Sequence, residues 1–143
     1  MSQISSESAS VQTYINNLQA IINRMAANSA SVKTWCITLI SAVIVFASDK
    51  DRPDAIWIAL IPLFLCMFLD SYYLGLERTF RDLYNSFVEK LVSGKAEDKD
   101  LFSLTPLAYS FYRFTGKAFL SISIWPFYGL ILVMLAVFRT WIY

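Results

Sequence analysis

The chain contains no histidine. That absence removes imidazole as a general acid or base, Ser-His-Asp and Cys-His nucleophiles, and nearly all zinc sites. Glycine is scarce, and Gly75, Gly94, Gly116 and Gly129 are spaced for neither a P-loop nor a dinucleotide fingerprint. Charge is scarce as well, at 16% of residues against about 25% in an ordinary soluble domain. Basic and acidic side chains nearly cancel at a net +1, so there is no bulk attraction to nucleic acid. The two cysteines, Cys36 and Cys66, both sit inside apolar runs and read as small buried hydrophobes rather than a disulfide framework. These absences predict a protein that is not an enzyme, with no catalytic residue, no metal site and no cofactor.

Apolar residues make up 57% of the 143, mean hydropathy is +0.50, and the excess is concentrated in blocks. Three runs carry no charge: Thr34 to Ser48, Ala55 to Leu69 and Ala118 to Phe138. Only the third reaches the roughly 20 residues that a membrane-crossing helix needs. The first two cross if Lys33 and Asp70 sit at the interfaces, if the ends snorkel, or if the bilayer thins. Their separator, DKDRPD at 49–54, has the charge and proline of a hairpin turn. Seven basic residues fall in 71–117, whereas the separator holds Lys50 and Arg52 and the C-terminus holds Arg139 alone. The positive-inside rule then predicts a cytoplasmic N-terminus and an external C-terminus. No signal-peptide core occurs in the first 33 residues, so that segment is expected to be mature and cytosolic.

The polar parts read as helices. Val11, Ile15, Leu18, Ile22 and Met25 repeat at 4-3-4-3 spacing, with Gln12, Asn16, Asn17, Gln19, Asn23 and Arg24 on the other faces. Two heptads do not stand alone in water. A partner stripe follows the second run at Leu69, Tyr73, Leu76, Phe80, Leu83 and Phe87, so the second span is expected to continue as one helix to about Leu91. Gly94 ends it, and 95–100 is a solvated loop. The predicted fold is all-α and homo-oligomeric, with three transmembrane helices. Its divisions are a cytosolic amphipathic helix at 1–33, a hairpin at 34–70 with spans 34–48 and 55–69, a cytosolic helix and loop at 71–100, an interfacial aromatic segment at 101–117, and a third transmembrane helix at 118–143.

The densest polar and aromatic stretch is DSYYLGLERTFRDLYN, Asp70 to Asn85. Glu77 with Arg81 and Arg78 with Asp82 are i,i+4 pairs, which by themselves describe a solvated helix face. Where a helix leaves a bilayer, the same arginines and tyrosines suit an anionic ligand, a lipid headgroup or a subunit contact. Arg113 and Lys117, beside Tyr109 and Tyr112, read either as a positive-inside anchor on membrane lipid or as a stacking and charge surface for a nucleotide or single strand. The candidate ligand-binding residues are therefore Arg78, Arg81, Tyr84, Asn85, Tyr109, Arg113 and Lys117. Asp70, Tyr73 and Glu77 are candidates for a pore or interface, since Asp70 is costly at membrane depth unless it pairs with a cation or rings a pore mouth. Ser121, Ser123, Pro126 and Gly129 are expected either to weaken the third span or to permit close packing.

The motif YYLGLERTFRDLYN at 72–85, directly after a short two-span hairpin, resembles the RipA family of octameric membrane proteins. It is also similar to SLATT-type effectors, most of all the membrane effectors of Hailong anti-phage systems. The likeness covers about residues 33–90 and rests on Tyr72, Tyr73, Glu77, Arg78, Phe80, Arg81, Leu83 and Tyr84. It implies a tetramer or octamer in the bacterial inner (cytoplasmic) membrane that acts as an ion channel. The gate would respond to a nucleotide or single-stranded DNA oligomer made by a partner nucleotidyltransferase, and depolarisation would arrest growth of the infected cell. The competing expectation is a non-conducting oligomeric scaffold that recruits a cytosolic partner. A lipid-modifying enzyme would need a catalytic constellation that the sequence does not offer.

Overall fold

The computed structural model describes residues 8–47, 53–102 and 108–142, without the side chains of 53–55, 102, 108–113 and 142. Among the described residues every regular element is helical and none is a strand. Helix α1 (Ala9–Ala47) is one rod of 39 residues, about 58 Å long at ~1.5 Å per residue. It passes from the polar N-terminal pattern into the first apolar run without a break. Its buried line is Val11, Tyr14, Leu18, Ile22, Met25, Ser29, Cys36, Ile40 and Ala47, so the heptad seam of the N-terminal part extends through the apolar half. Tyr14 takes the fully buried place expected of Ile15, because its ring meets Phe87 edge-on at 4.6 Å. That burial, and next the charge of Asp100, push the Tyr14 phenol above its ordinary pKa.

A short 3₁₀ segment, Pro53–Ala59, leads into α2 (Leu60–Val92), which runs antiparallel to α1. Tyr14 lies opposite Phe87, and Ser29 and Lys33 lie opposite Asp70. As expected, α2 continues unbroken from the second apolar run, and it stops where Gly94 adopts a positive φ of 67°. There Ser93, Gly94 and Lys95 donate their N–H groups back to the last carbonyls of the helix. Substituting Gly94→Ala places a β-carbon in that left-handed conformation, and thermal unfolding should show a loss of about 1 kcal/mol. An unchanged midpoint would mean that the cap contributes nothing.

The expected stripe on α2 is only partly the buried one. Phe87 is enclosed and Phe80 and Leu83 pack against the Val11–Leu18 cluster, but Leu69 is exposed. The fully buried line through the middle is Asp70, Ser71, Gly75 and Thr79. Small and polar side chains win there because α2 is approached closely by its neighbours. Ser71 and Thr79 satisfy their hydroxyls on the carbonyls of Met67 and Gly75, each at 2.8 Å.

The third apolar run is not a single helix. α3 (Ala108–Phe119) ends in a turn, and α4 (Trp125–Ile142) begins after it. Pro126 explains the break, since it has no N–H for the Ile122 carbonyl and its ring would collide with that carbonyl in a continuous helix. In the first turn of α4 the missing N–H costs nothing. Ser121 stabilises the corner, accepting from the N–H groups of Ile124 and Trp125 through its carbonyl and from the N–H of Ser123 through its hydroxyl.

Two apolar clusters result. One joins Cys36, Ile40, Ala47, Ile56, Leu63, Cys66, Ile124, Tyr128 and Leu135, and the other joins Val11, Tyr14, Leu18 and Phe87 at the opposite end of the hairpin. Outside the first cluster the surface is apolar as well, with Val45, Ile61, Leu120, Ile122 and Trp141 each at least 70% exposed. Two helical stretches, within Ala9–Ala47 and Ile56–Val92, are long and apolar enough to cross a membrane.

Candidate functional site

Asp70 sits at the heart of the bundle with no exposed surface. Two other helices converge on it. From α1, Ser29 donates its hydroxyl to Oδ1, and Lys33 brings its ammonium to 2.6 Å from Oδ2. From α4, the Tyr128 hydroxyl donates to Oδ2 at 3.2 Å. Lys33 also donates to Ser29 Oγ at 3.3 Å and lies 5.9 Å from the centre of the Phe127 ring. The carboxylate thus has a cation and two hydroxyl donors, which is the condition under which a buried charge is tolerable. Lys33 keeps 22% of its side chain exposed, so its head reaches the bundle edge while Asp70 does not. Asp70 is therefore engaged inside the protomer rather than presented on its surface.

One helical turn along α2 from the Asp70 neighbourhood, Gly75 lies against α3. A β-carbon there would stand 2.8 Å from the Cα of Thr115, and the Thr115 hydroxyl is enclosed without a hydrogen-bond partner. Arg78 reaches past this junction and donates to Ser121 Oγ at 2.7 Å, tying α2 to the corner between α3 and α4. Arg78 and Arg81 therefore turn to different partners. Arg81 pairs with Glu77 at 2.8 Å and is 59% exposed.

Beside Arg81 is an open groove of about 360 Å³ between α1 and α2. Gln19, Ile22 and Asn23 form one wall, and Arg81, Tyr84 and Asn85 form the other. The structure thus brings together three of the sequence-derived candidates, Arg81, Tyr84 and Asn85. It separates Arg78 from them, and Lys117 lies exposed on α3. Tyr109 and Arg113 belong to the α3 backbone, but their side chains lie outside the described residues. Tyr73 is half-buried, with its ring centre 5.5 Å from that of Tyr72. At the far end, Lys90 pairs with Asp100 at 2.8 Å; this contact, with a hydrogen bond from the Glu97 N–H, holds the Asp100 carboxyl below the usual carboxylate range.

Sequence reasoning passed over Ser29, Lys33 and Tyr128 as partners of Asp70, and Gln19 and Asn23 as groove residues. Among the described residues no cluster of three or more Cys, Asp or Glu side chains is arranged to hold a metal ion. Compared with protein-family models, curated protein sequences and solved structures, this chain matches none.

Proposed function

We propose that this chain is a multi-pass protein of the bacterial inner membrane, with its N-terminus in the cytoplasm and its C-terminus outside. It works as a homo-oligomeric effector of anti-phage defence, an ion channel whose gate answers a nucleotide or single-stranded DNA oligomer from a partner nucleotidyltransferase. The membrane part of the reading is supported by an inverted distribution of polarity. Asp70, Ser29 and Thr79 are buried while Ile61, Leu120 and Ile122 face outward. Such an arrangement is costly in water and favourable in hydrocarbon. α4, at 18 residues, is about 27 Å long at ~1.5 Å per residue, close to the hydrocarbon thickness of a bilayer.

The single observation that carries the ligand reading is the groove. It lies where the hairpin leaves its apolar half, and it offers a guanidinium, a phenol and three carboxamides. Arg81 already holds the Glu77 carboxylate as an anion site would. A phosphate entering the groove exchanges with Glu77 for the same guanidinium. Ligand then shifts the closed–open balance only as far as it binds one state better than the other. The scaffold remains the second reading, because Asp70 is enclosed and neutralised within the protomer.

Expression in growing cells with a potential-sensitive dye, followed by flux from liposomes of the purified protein, tests both readings. A channel depolarises cells or passes ions in at least one condition with short single-stranded DNA or nucleotides. Arg81→Ala with Asn85→Ala should weaken that response at least about tenfold, the loss expected for two polar contacts to an anion. Liposomes that stay tight under every condition would leave the scaffold standing.

A further inference from the structure

α1 and α4 run the same way through the apolar zone, since Tyr128 is level with Asp70 and Arg139 with Trp57. They do not close on each other. Between them lies a cavity of about 240 Å³, lined by Ile37, Ile40 and Ile44 of α1 and by Phe127, Leu130 and Met134 of α4, with Ser41 as its one polar side chain. Interiors are packed too densely to leave such a space unfilled, and apolar walls of this kind do not hold water. Ile37, Leu130 and Met134 are each at least 50% exposed, so the cavity opens sideways onto the apolar surface. At the end nearest Asp70 the chemistry changes. The Lys33 ammonium lies 5.9 Å from the centre of the Phe127 ring, one helical turn beyond Ile37 on the same face of α1. An ammonium has three donors. Lys33 spends one on Asp70 at 2.6 Å and one on Ser29 at 3.3 Å, and 22% of its side chain is exposed. Among the described residues the third donor meets no acceptor.

We infer that this is a binding site for one membrane phospholipid, its phosphate on the spare donor of Lys33 and one acyl chain in the cavity. The inference rests on the proposed membrane location. A free phosphate would have no use for the apolar trough, and a purely apolar ligand would have none for the ammonium. An amphiphile uses both, and the spacing fits a lipid. From Lys33 to Ile44 is eleven residues, about 16 Å at ~1.5 Å per residue, half of the roughly 30 Å hydrocarbon core and hence one leaflet. Asp70 already balances much of the Lys33 charge, so the phosphate is held by a charge-assisted hydrogen bond and not by net charge. The start of α4 is fixed to the hairpin through Tyr128 and through the Arg78–Ser121 contact. Beyond that point the acyl chain completes the packing of α4 against α1.

The test is native mass spectrometry of the full chain, purified in mild detergent and stripped of lipid, with dioleoyl phosphatidylglycerol as the probe and dioleoylglycerol as the same molecule without phosphate. One phospholipid per protomer should bind, at least about tenfold more tightly than dioleoylglycerol, the difference made by a charge-assisted hydrogen bond. In the paired variant Lys33→Met, Asp70→Asn that preference should vanish. Ile37→Trp places an indole in the cavity and should weaken phospholipid binding at least about tenfold, as the exclusion of roughly two methylene groups would. Val45→Trp, on another and more exposed face of α1, should leave binding unchanged. Both positions are exposed enough to take the larger ring without disturbing the core. If the chain needs detergent but the two tryptophan variants bind alike, or phosphate makes no difference, the lipid is only the general coat of the bilayer; the site is overturned and the membrane location stands. If no lipid is retained and Ile37→Trp instead changes the particle mass, the cavity belongs to a second copy and the site is again overturned. A chain that dissolves without detergent removes the membrane location and the site together.

Discussion

Removing the Lys33 charge alone, as Lys33→Met, should destabilise the bundle by about 3–5 kcal/mol, the usual cost of stranding one member of a buried ion pair. Asp70 has no exposed surface to turn toward, and Ser29 and Tyr128 supply hydroxyls but no charge. The reverse change is gentler. Asp70→Asn keeps the shape and one acceptor oxygen, and Lys33, with 22% of its side chain already exposed, can move its ammonium outward. Its expected cost is about 1–3 kcal/mol, set mainly by the lost charge-assisted hydrogen bonds. Combining Lys33→Met with Asp70→Asn removes both charges and should recover most of the loss, with a coupling of at least about 2 kcal/mol. Unfolding midpoints of the four proteins in one detergent provide the cycle. Additive losses would show that the two groups are neighbours without being partners.

This pair was legible in the sequence to a degree that the motif around it was not. Lys33 stands 16 residues before Asp49, and Asp70 stands 16 residues after Asp54. In an antiparallel hairpin turning on 49–54 they must lie at one level. Each taken alone reads as the flank of an apolar run, and only the pairing of the two helices makes them an interior site. Tyr128 carried no comparable signal, because a tyrosine inside an apolar run looks like any other aromatic filler. The break before α4 was half visible in Ser121, Ser123 and Pro126. Whether a proline kinks a helix or starts a new one depends on what holds the corner, here Arg78 from another helix. Composition found Arg81, Tyr84 and Asn85, but periodicity assigned Gln19 and Asn23 only to a polar face. Their place in the groove depends on how the two helices are rotated about their axes. The stripe predicted on α2 slipped for the same reason, since apolar spacing does not reveal that small residues mark the closest approach.

That closest approach predicts the second large effect. At Gly75 a β-carbon would meet the Thr115 side chain and stand 2.8 Å from the Thr115 α-carbon, a separation that real β-carbons essentially never show. The neighbour being backbone, it cannot swing aside, so α3 as a whole must retreat from α2. Gly75→Ala gains up to about 1 kcal/mol of helix propensity. It should nonetheless destabilise by about 1–3 kcal/mol net, the range for overpacking a filled interior. Gly75→Leu should exceed that and abolish the packing of α3 altogether. The effect reaches further than Thr115, because Arg78 donates to Ser121 from one helical turn along the same helix. A retreating α3 draws that corner away and loosens the latch, and α4 carries Tyr128, so the Asp70 network loses a donor by the same movement. Thr115→Ala in the Gly75→Ala background removes the clashing, orphaned hydroxyl but leaves the α- and β-carbons of residue 115 in the way, so it should rescue only part of the loss. Unfolding midpoints distinguish the cases. Full rescue would place the obstruction in the Thr115 hydroxyl alone, and no loss from Gly75→Ala would show that α3 is free to move.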